Sequence, residues 1–154
     1  MSQNFFTLEL WTPEGFKEVE RVPNLNPTGG KNYALDCIFD DAIPEANWYL
    51  GLIDGSGSPV LAAADTLASH SGWSEITSLS APRVIWVPGA AVSGQKTGAV
   101  VVFTASGNIT IGGAFVCSVI SGTTGILYAE ALFTNTYDLV SSNTFNVTYT
   151  AKGI

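Results

Sequence analysis

Along most of this chain apolar and polar residues alternate with a period of two, the spacing of a half-buried β-strand. From Asn4 to Trp11 the pattern sets Phe6, Leu8 and Leu10 on one side and Thr7 and Glu9 on the other. Thr144 to Thr150 alternates as cleanly, with Phe145, Val147 and Tyr149 facing inward. Three segments are apolar on both faces: Asn47 to Asp54, Gly98 to Ala105, and Ile109 to Ile120. Such runs predict strands covered on two sides, with Trp48 in the core. Gly72 to Leu79, Arg83 to Val87 and Ile126 to Phe133 complete the predicted strands. Gly112-Gly113 marks a bulge or a close backbone approach. Ser106-Gly107-Asn108 reads as a hairpin connection, and Gly122 to Gly125 as a turn.

Two stretches depart from that period. Ala34, Leu35, Ile38 and Phe39 recur at helical spacing, so a helix is expected over Lys31 to Asp40, stopped by Pro44. Asp65 could cap a second short turn at Leu67 or Ala68. Ahead of the helix, Pro13, Pro23 and Pro27 interrupt the chain before Gly29-Gly30. Proline lacks the N–H that a sheet ladder needs, so this stretch reads as an extended arm or loop.

Short strands separated by Gly, Ser and Asn turns define an all-β class, an antiparallel β-sandwich or barrel with one short helix and an extended N-terminal arm. Residues 1–30 form the N-terminal strand and proline-containing arm, and 31–154 a single β-rich domain. Phe5, Phe6, Leu8, Leu10 and Trp11 are the candidate contact residues of the arm, which could add a strand to the edge of a partner's sheet. The alternative is that this strand completes the protein's own sheet.

Charge changes the picture more than composition does. Eleven of the 13 Asp and Glu lie at or before Glu75, and the stretch from Ile76 to Ile154 is almost neutral. Charged residues make up 12% of the chain, against about a quarter in an ordinary soluble domain. Since charge is depleted from interface cores, the neutral half reads as surface that meets other protein. The net charge of −7, with scattered basic residues, argues against nucleic acid. No apolar run reaches the roughly 18 residues of a membrane helix, and the first residues lack the basic start of an export signal. Synthesis in a cytosol is expected, with Cys37 and Cys117 as unbridged core residues.

Candidate chemistry is sparse. One His and two distant Cys supply no metal cluster, and no phosphate-binding or dinucleotide motif is present. His70, flanked by Ser69 and Ser71 with Asp65 nearby, superficially offers a triad, but neighbours on a short loop seldom reach triad geometry. Asp40-Asp41 reads as solvated surface. Trp11, Trp73 and Trp86 lie beside loops, where an aromatic either packs or stacks on a sugar. Glu130, alone in an apolar strand, is expected to face solvent on an edge strand, or else to pair with Arg83 or Lys96 across an interface. No enzyme and no cofactor are expected.

The series Arg21-Val-Pro-Asn, Asn47-Trp-Tyr-Leu-Gly-Leu-Ile, His70-Ser-Gly-Trp-Ser-Glu, Pro82-Arg-Val-Ile-Trp, Gly113-Ala-Phe-Val, Gly125-Ile-Leu-Tyr-Ala and Phe145-Asn-Val-Thr-Tyr-Thr resembles small virion structural proteins of tailed bacteriophages. The resemblance runs from about Phe16 to the C-terminus and is most compatible with the head decoration (cement) class. It implies a β-rich, often trimeric protein on the outer capsid surface, made in the bacterial host cytoplasm and bound to the major capsid protein. It carries over no catalytic residues. A tail, neck or fibre component, or a surface glycan-binding module using Trp73, Trp86 or Tyr49, are the alternatives.

Overall fold

A computed structural model describes residues 4–12 and 15–152. Among the described residues nine strands and one helix follow one another: β1 (Phe5–Thr12), β2 (Gly15–Pro23), α1 (Thr28–Phe39), β3 (Trp48–Asp54), β4 (Arg83–Trp86), β5 (Gln95–Thr97), β6 (Val101–Thr104), β7 (Ile109–Cys117), β8 (Leu127–Leu139) and β9 (Thr144–Lys152). They form two antiparallel sheets. The first runs β2-β1-β9-β5, with β6 also on β9, and the second runs β4-β3-β7-β8. The protein is an all-β sandwich and not a closed barrel.

Alternation sorts side chains to the interior. Phe6 and Leu8 of β1 and Phe145, Val147 and Tyr149 of β9 meet Leu50, Leu52, Ala114 and Val116 of the second sheet in one core. A second cluster, containing Ile53, Leu67, Trp73, Phe115, Cys117 and Leu127, covers the other face of β3 and β7. Both faces of β3 and β7 are thus apolar and largely buried, as continuous apolar runs require. Opposite Phe115 on β3 sits Gly51, where a methyl would lie 2.3 Å from the Phe115 ring. Gly51→Ala should therefore cost about 1–3 kcal/mol by overpacking, measurable as a lower urea midpoint.

Several elements differ from expectation. Residues 15–23, expected as arm or loop, form β2 on the sheet edge. Edge strands tolerate charge and a terminal proline, and Pro23 is the last residue of β2. Gly72 to Leu79 is no strand; it carries isolated bridges to Ile53 and Ala105 and belongs to the long connection that lays Leu67 and Trp73 over the second sheet. Residues 106–108 pass from one sheet to the other rather than closing a hairpin, since β6 pairs β9 and β7 pairs β3 and β8. The bulge expected at Gly112-Gly113 appears as a register shift between Ile111 and Gly113. The end of β8 is polar and exposed at Thr134, Asn135 and Thr136, so apolarity alone ends that strand too early.

The helix forms near its expected place but starts three residues earlier, with Pro27 at its N-cap. Gly30 permits this: a Cβ there would lie 2.8 Å from the Tyr128 carbonyl, so the first turn packs directly on β8. The helix does not bury its apolar positions. Leu35 is 42% exposed, Ile38 59% and Phe39 76%. Among the described residues, no helix is long and apolar enough to cross a membrane.

Candidate functional site

The N-terminal candidates occupy the middle of the first sheet. β1 pairs with β2 along one edge and β9 along the other, and Phe6 and Leu8 are fully buried. These two side chains are therefore core, so the alternative of a strand completing the protein's own sheet describes them. Phe5 points the other way and is half-buried. Its ring lies 3.3 Å from the Arg21 guanidinium carbon and 5.5 Å from Lys152 Nζ, an aromatic held between two cations. The side chains of Leu10 and Trp11 lie outside the described residues.

The aromatic residues divide by burial. Trp73 is 6% and Trp86 7% exposed, so neither offers the open ring face on which a sugar stacks. Tyr49 is half-buried and packs on the second cluster. Trp48, expected in the core, is only half-buried: it is the first residue of β3 and packs against the margin of the main cluster. There it contacts Tyr33 of α1 and Tyr128 of β8, at ring separations of 5.6 and 5.3 Å. With Ile38, Ile85 and Val87 these rings line an apolar groove of about 900 Å³ beneath the helix, whose charged lining residues are Lys96 and Glu45.

Glu130 departs furthest from expectation. Its side chain is 0% exposed, although β8 ends the second sheet. The 24–26 segment covers that edge, with Leu25 and Glu130 exchanging backbone hydrogen bonds of 2.8 and 3.0 Å. Further along, Glu20 of β2 accepts hydrogen bonds from Thr134 N and Tyr137 Oη. Burial alone would raise the Glu20 carboxyl, but these bonds bring it below the ordinary range. Arg83 does not meet Glu130 either. It forms a two-pronged pair with Glu75, at 2.8 and 2.7 Å.

The partner of Glu130 is the Trp73 indole, 57 residues away in sequence, whose Nε1–H lies 3.1 Å from Glu130 Oε2. The same N–H lies 3.3 Å from Asp65 Oδ2. Burial, and then the Asp65 charge, push Glu130 up to about 8. Asp65 caps no turn at Leu67 or Ala68; its carboxylate accepts from Ala62 N at 2.9 Å. His70 stacks on Trp73 at 3.8 Å, with Nδ1 3.1 Å from the Trp73 carbonyl, a loop histidine in local contacts. With Glu130 sealed from solvent, these acids and the histidine hold a loop in place and present no carboxyl to a substrate.

Cys37 and Cys117 are both free; Cys117 is buried and Cys37 half-buried. Among the described residues, no group of three or more His, Cys, Asp or Glu could hold a metal ion.

What the geometry defines is an antiparallel sandwich with buried polar ties and an apolar groove at one end. No protein-family model matches the chain, and no curated protein matches it.

Proposed function

We propose that this chain is a non-enzymatic structural protein of a tailed-phage virion, a head decoration subunit that assembles as a homotrimer and binds the major capsid protein on the outer capsid surface. One observation carries the reading as an assembly subunit. The half from Ile76 to Ile154 holds five charged residues, Arg83, Lys96, Glu130, Asp138 and Lys152, and two of them, Arg83 and Glu130, are buried. The surface it offers is nearly free of charge, yet Ile85, Val87, Val92, Val100, Val102, Ile120 and Val140 are exposed on it. Water-facing monomers seldom combine few charges with many exposed branched apolar residues, whereas subunit interfaces do. Packing such a surface about a symmetry axis buries it, and several linked copies bind a particle far more tightly than one. The virion setting rests on the resemblance of the quoted segments to phage structural proteins.

Cryo-electron microscopy of the purified virion tests this. Density for the chain repeated over the shell at threefold or quasi-threefold positions is the expected result. Density confined to the tail or neck would overturn the decoration role. Sedimentation of the isolated protein is expected to give a trimer.

A further inference from the structure

The connection between β3 and β4 is a cover over the outer face of the second sheet. Leu67 and Trp73 lie on Phe115, with the Trp73 and Phe115 rings 5.2 Å apart. Little regular structure holds this cover. Its backbone ties include Thr28 N to the Ala63 carbonyl at 2.8 Å, Asp54 N to the Ser74 carbonyl at 2.8 Å, and Val60 N to the Gly72 carbonyl at 2.9 Å. Its side-chain anchor to β8 is the Trp73 indole.

That anchor has unusual arithmetic. One N–H donor faces two carboxyl groups, Glu130 at 3.1 Å and Asp65 at 3.3 Å. Glu130 Oε1 is buried with no hydrogen-bond partner. Two buried carboxylates that share the Trp73 N–H, with the Ala62 N–H as a further donor to Asp65, cannot both be charged without a large desolvation penalty. Among the described residues, the other elements bring no compensating cation. From the cover come Asp65 and His70, the latter stacked on the far partner, Trp73. From β7 comes Cys117, two residues from Phe115, which pairs Glu130 in the ladder. From β4 comes Arg83, whose charge is taken by Glu75. The 24–26 segment contributes Asn24, Leu25 and Asn26, all uncharged.

We propose that residues 57–74 form a proton-locked cover: a proton held on Glu130, beside the Asp65 carboxylate, lets Trp73 stay fastened to β8, and losing it frees the cover and opens the outer face of the second sheet. Burial and the Asp65 charge, which push Glu130 up to about 8, place the opening in mildly alkaline solution. When the proton leaves, the Trp73 N–H still favours the Glu130 anion, but burial and the Asp65 charge oppose it more strongly, and the least costly relief is to lift Asp65 and Trp73 into water. The sheet beneath keeps its β3–β7 and β7–β8 ladders, so the opening is local.

Hydrogen exchange of the full chain from pH 5.5 to 9, corrected for intrinsic exchange, tests this. At every pH amides in 60–74 are expected to be less protected than those of β1 and β9, which exchange only on global unfolding, and their protection should fall by up to about tenfold per pH unit on approach to pH 8. In Glu130→Gln, whose amide accepts from Trp73 and donates to Asp65 at any pH, the fall should vanish. Asp65→Asn, which leaves Glu130 titratable without its charged neighbour, should make the fall shallower. Unchanged protection in the natural chain, or a parallel fall in Glu130→Gln, would overturn the lock. So would protection in 60–74 equal to that of β1 and β9 at every pH, which means that the cover opens only with global unfolding.

Discussion

Arg83→Ala is expected to destabilise the fold by about 3 kcal/mol, the lower end of what removing one partner of a buried ion pair costs. The Arg83 side chain is 6% exposed and that of Glu75 20%, so Glu75 keeps some contact with water when its partner is lost. Arg83 does more than neutralise Glu75. Its Nη1 donates to the carbonyls of Val119 and Gly122, at 3.1 and 2.9 Å. The guanidinium carbon stands 5.6 Å from the Phe115 ring centroid. One side chain thus joins β4, the segment before it and the turn between β7 and β8. Truncation removes the donor to two carbonyls and the cation of a carboxylate together, although the Val119 carbonyl keeps Cys117 Sγ at 3.3 Å and Gly122 faces water. Arg83→Lys should recover only part of the loss, because an ammonium cannot make the two-pronged contact and reach both carbonyls. Urea denaturation reads both changes as shifts of the midpoint. A loss below about 1 kcal/mol for Arg83→Ala would show that the turn does not depend on this contact.

The global stability of the natural chain should fall between about pH 4.5 and pH 8, and Glu130→Gln should remove most of that fall. In the folded state Glu130 keeps its proton to about 8, whereas in the unfolded chain it releases it near 4.5. Below 4.5 both states are protonated and the stability is fully present. Between the two values the folded state binds more protons, so stability falls as pH rises, by up to about 1.4 kcal/mol per unit. Above 8 both states are ionised and the loss is complete, of the order of 3–5 kcal/mol. Denaturant titrations at pH 5 and pH 8.5 should give nearly equal stabilities for the two proteins at the lower pH, with the variant more stable at the higher. Parallel behaviour would show that Glu130 ionises in the fold as freely as in the unfolded chain.

The two effects differ in how far they could be anticipated. Glu130 stands out in the sequence as the one acid in an apolar strand, but its surroundings do not. The strand is indeed the last of its sheet, and an edge is where an isolated charge ordinarily meets water. Here Leu25 pairs with that edge, and Trp73 and Asp65 descend on it from a connection more than 50 residues away. Arg83 gives no such signal, because its partner Glu75 lies on the connection before β4 and its partners Val119 and Gly122 in the turn between β7 and β8. The groove is equally hidden. Ala34, Leu35, Ile38 and Phe39 have the spacing of a buried helical face, yet Gly30 seats the helix on β8 by its first turn, and the later turns stand away from the sandwich.

The sequence by itself determined most of the strands with a buried face, though not that Gly72 to Leu79 is no strand, because a period of two acts through neighbouring residues and needs no knowledge of the partner. Phe6 and Leu8 in β1, and Phe145, Val147 and Tyr149 in β9, follow from alternation alone; the helix near residue 34 follows from its own spacing, and the bulge at Gly112-Gly113 from the paired glycines. It also determined that the second half of the chain carries few charges. Only the tertiary structure decided that residues 15–23 make an edge strand and that residues 106–108 cross between sheets. It alone decided that residues 57–74 lie over the second sheet and that Glu130 is sealed there. These depend on contacts between residues far apart in sequence. Their strength is set by burial and by the polar partners that happen to be brought close, and no local periodicity records either.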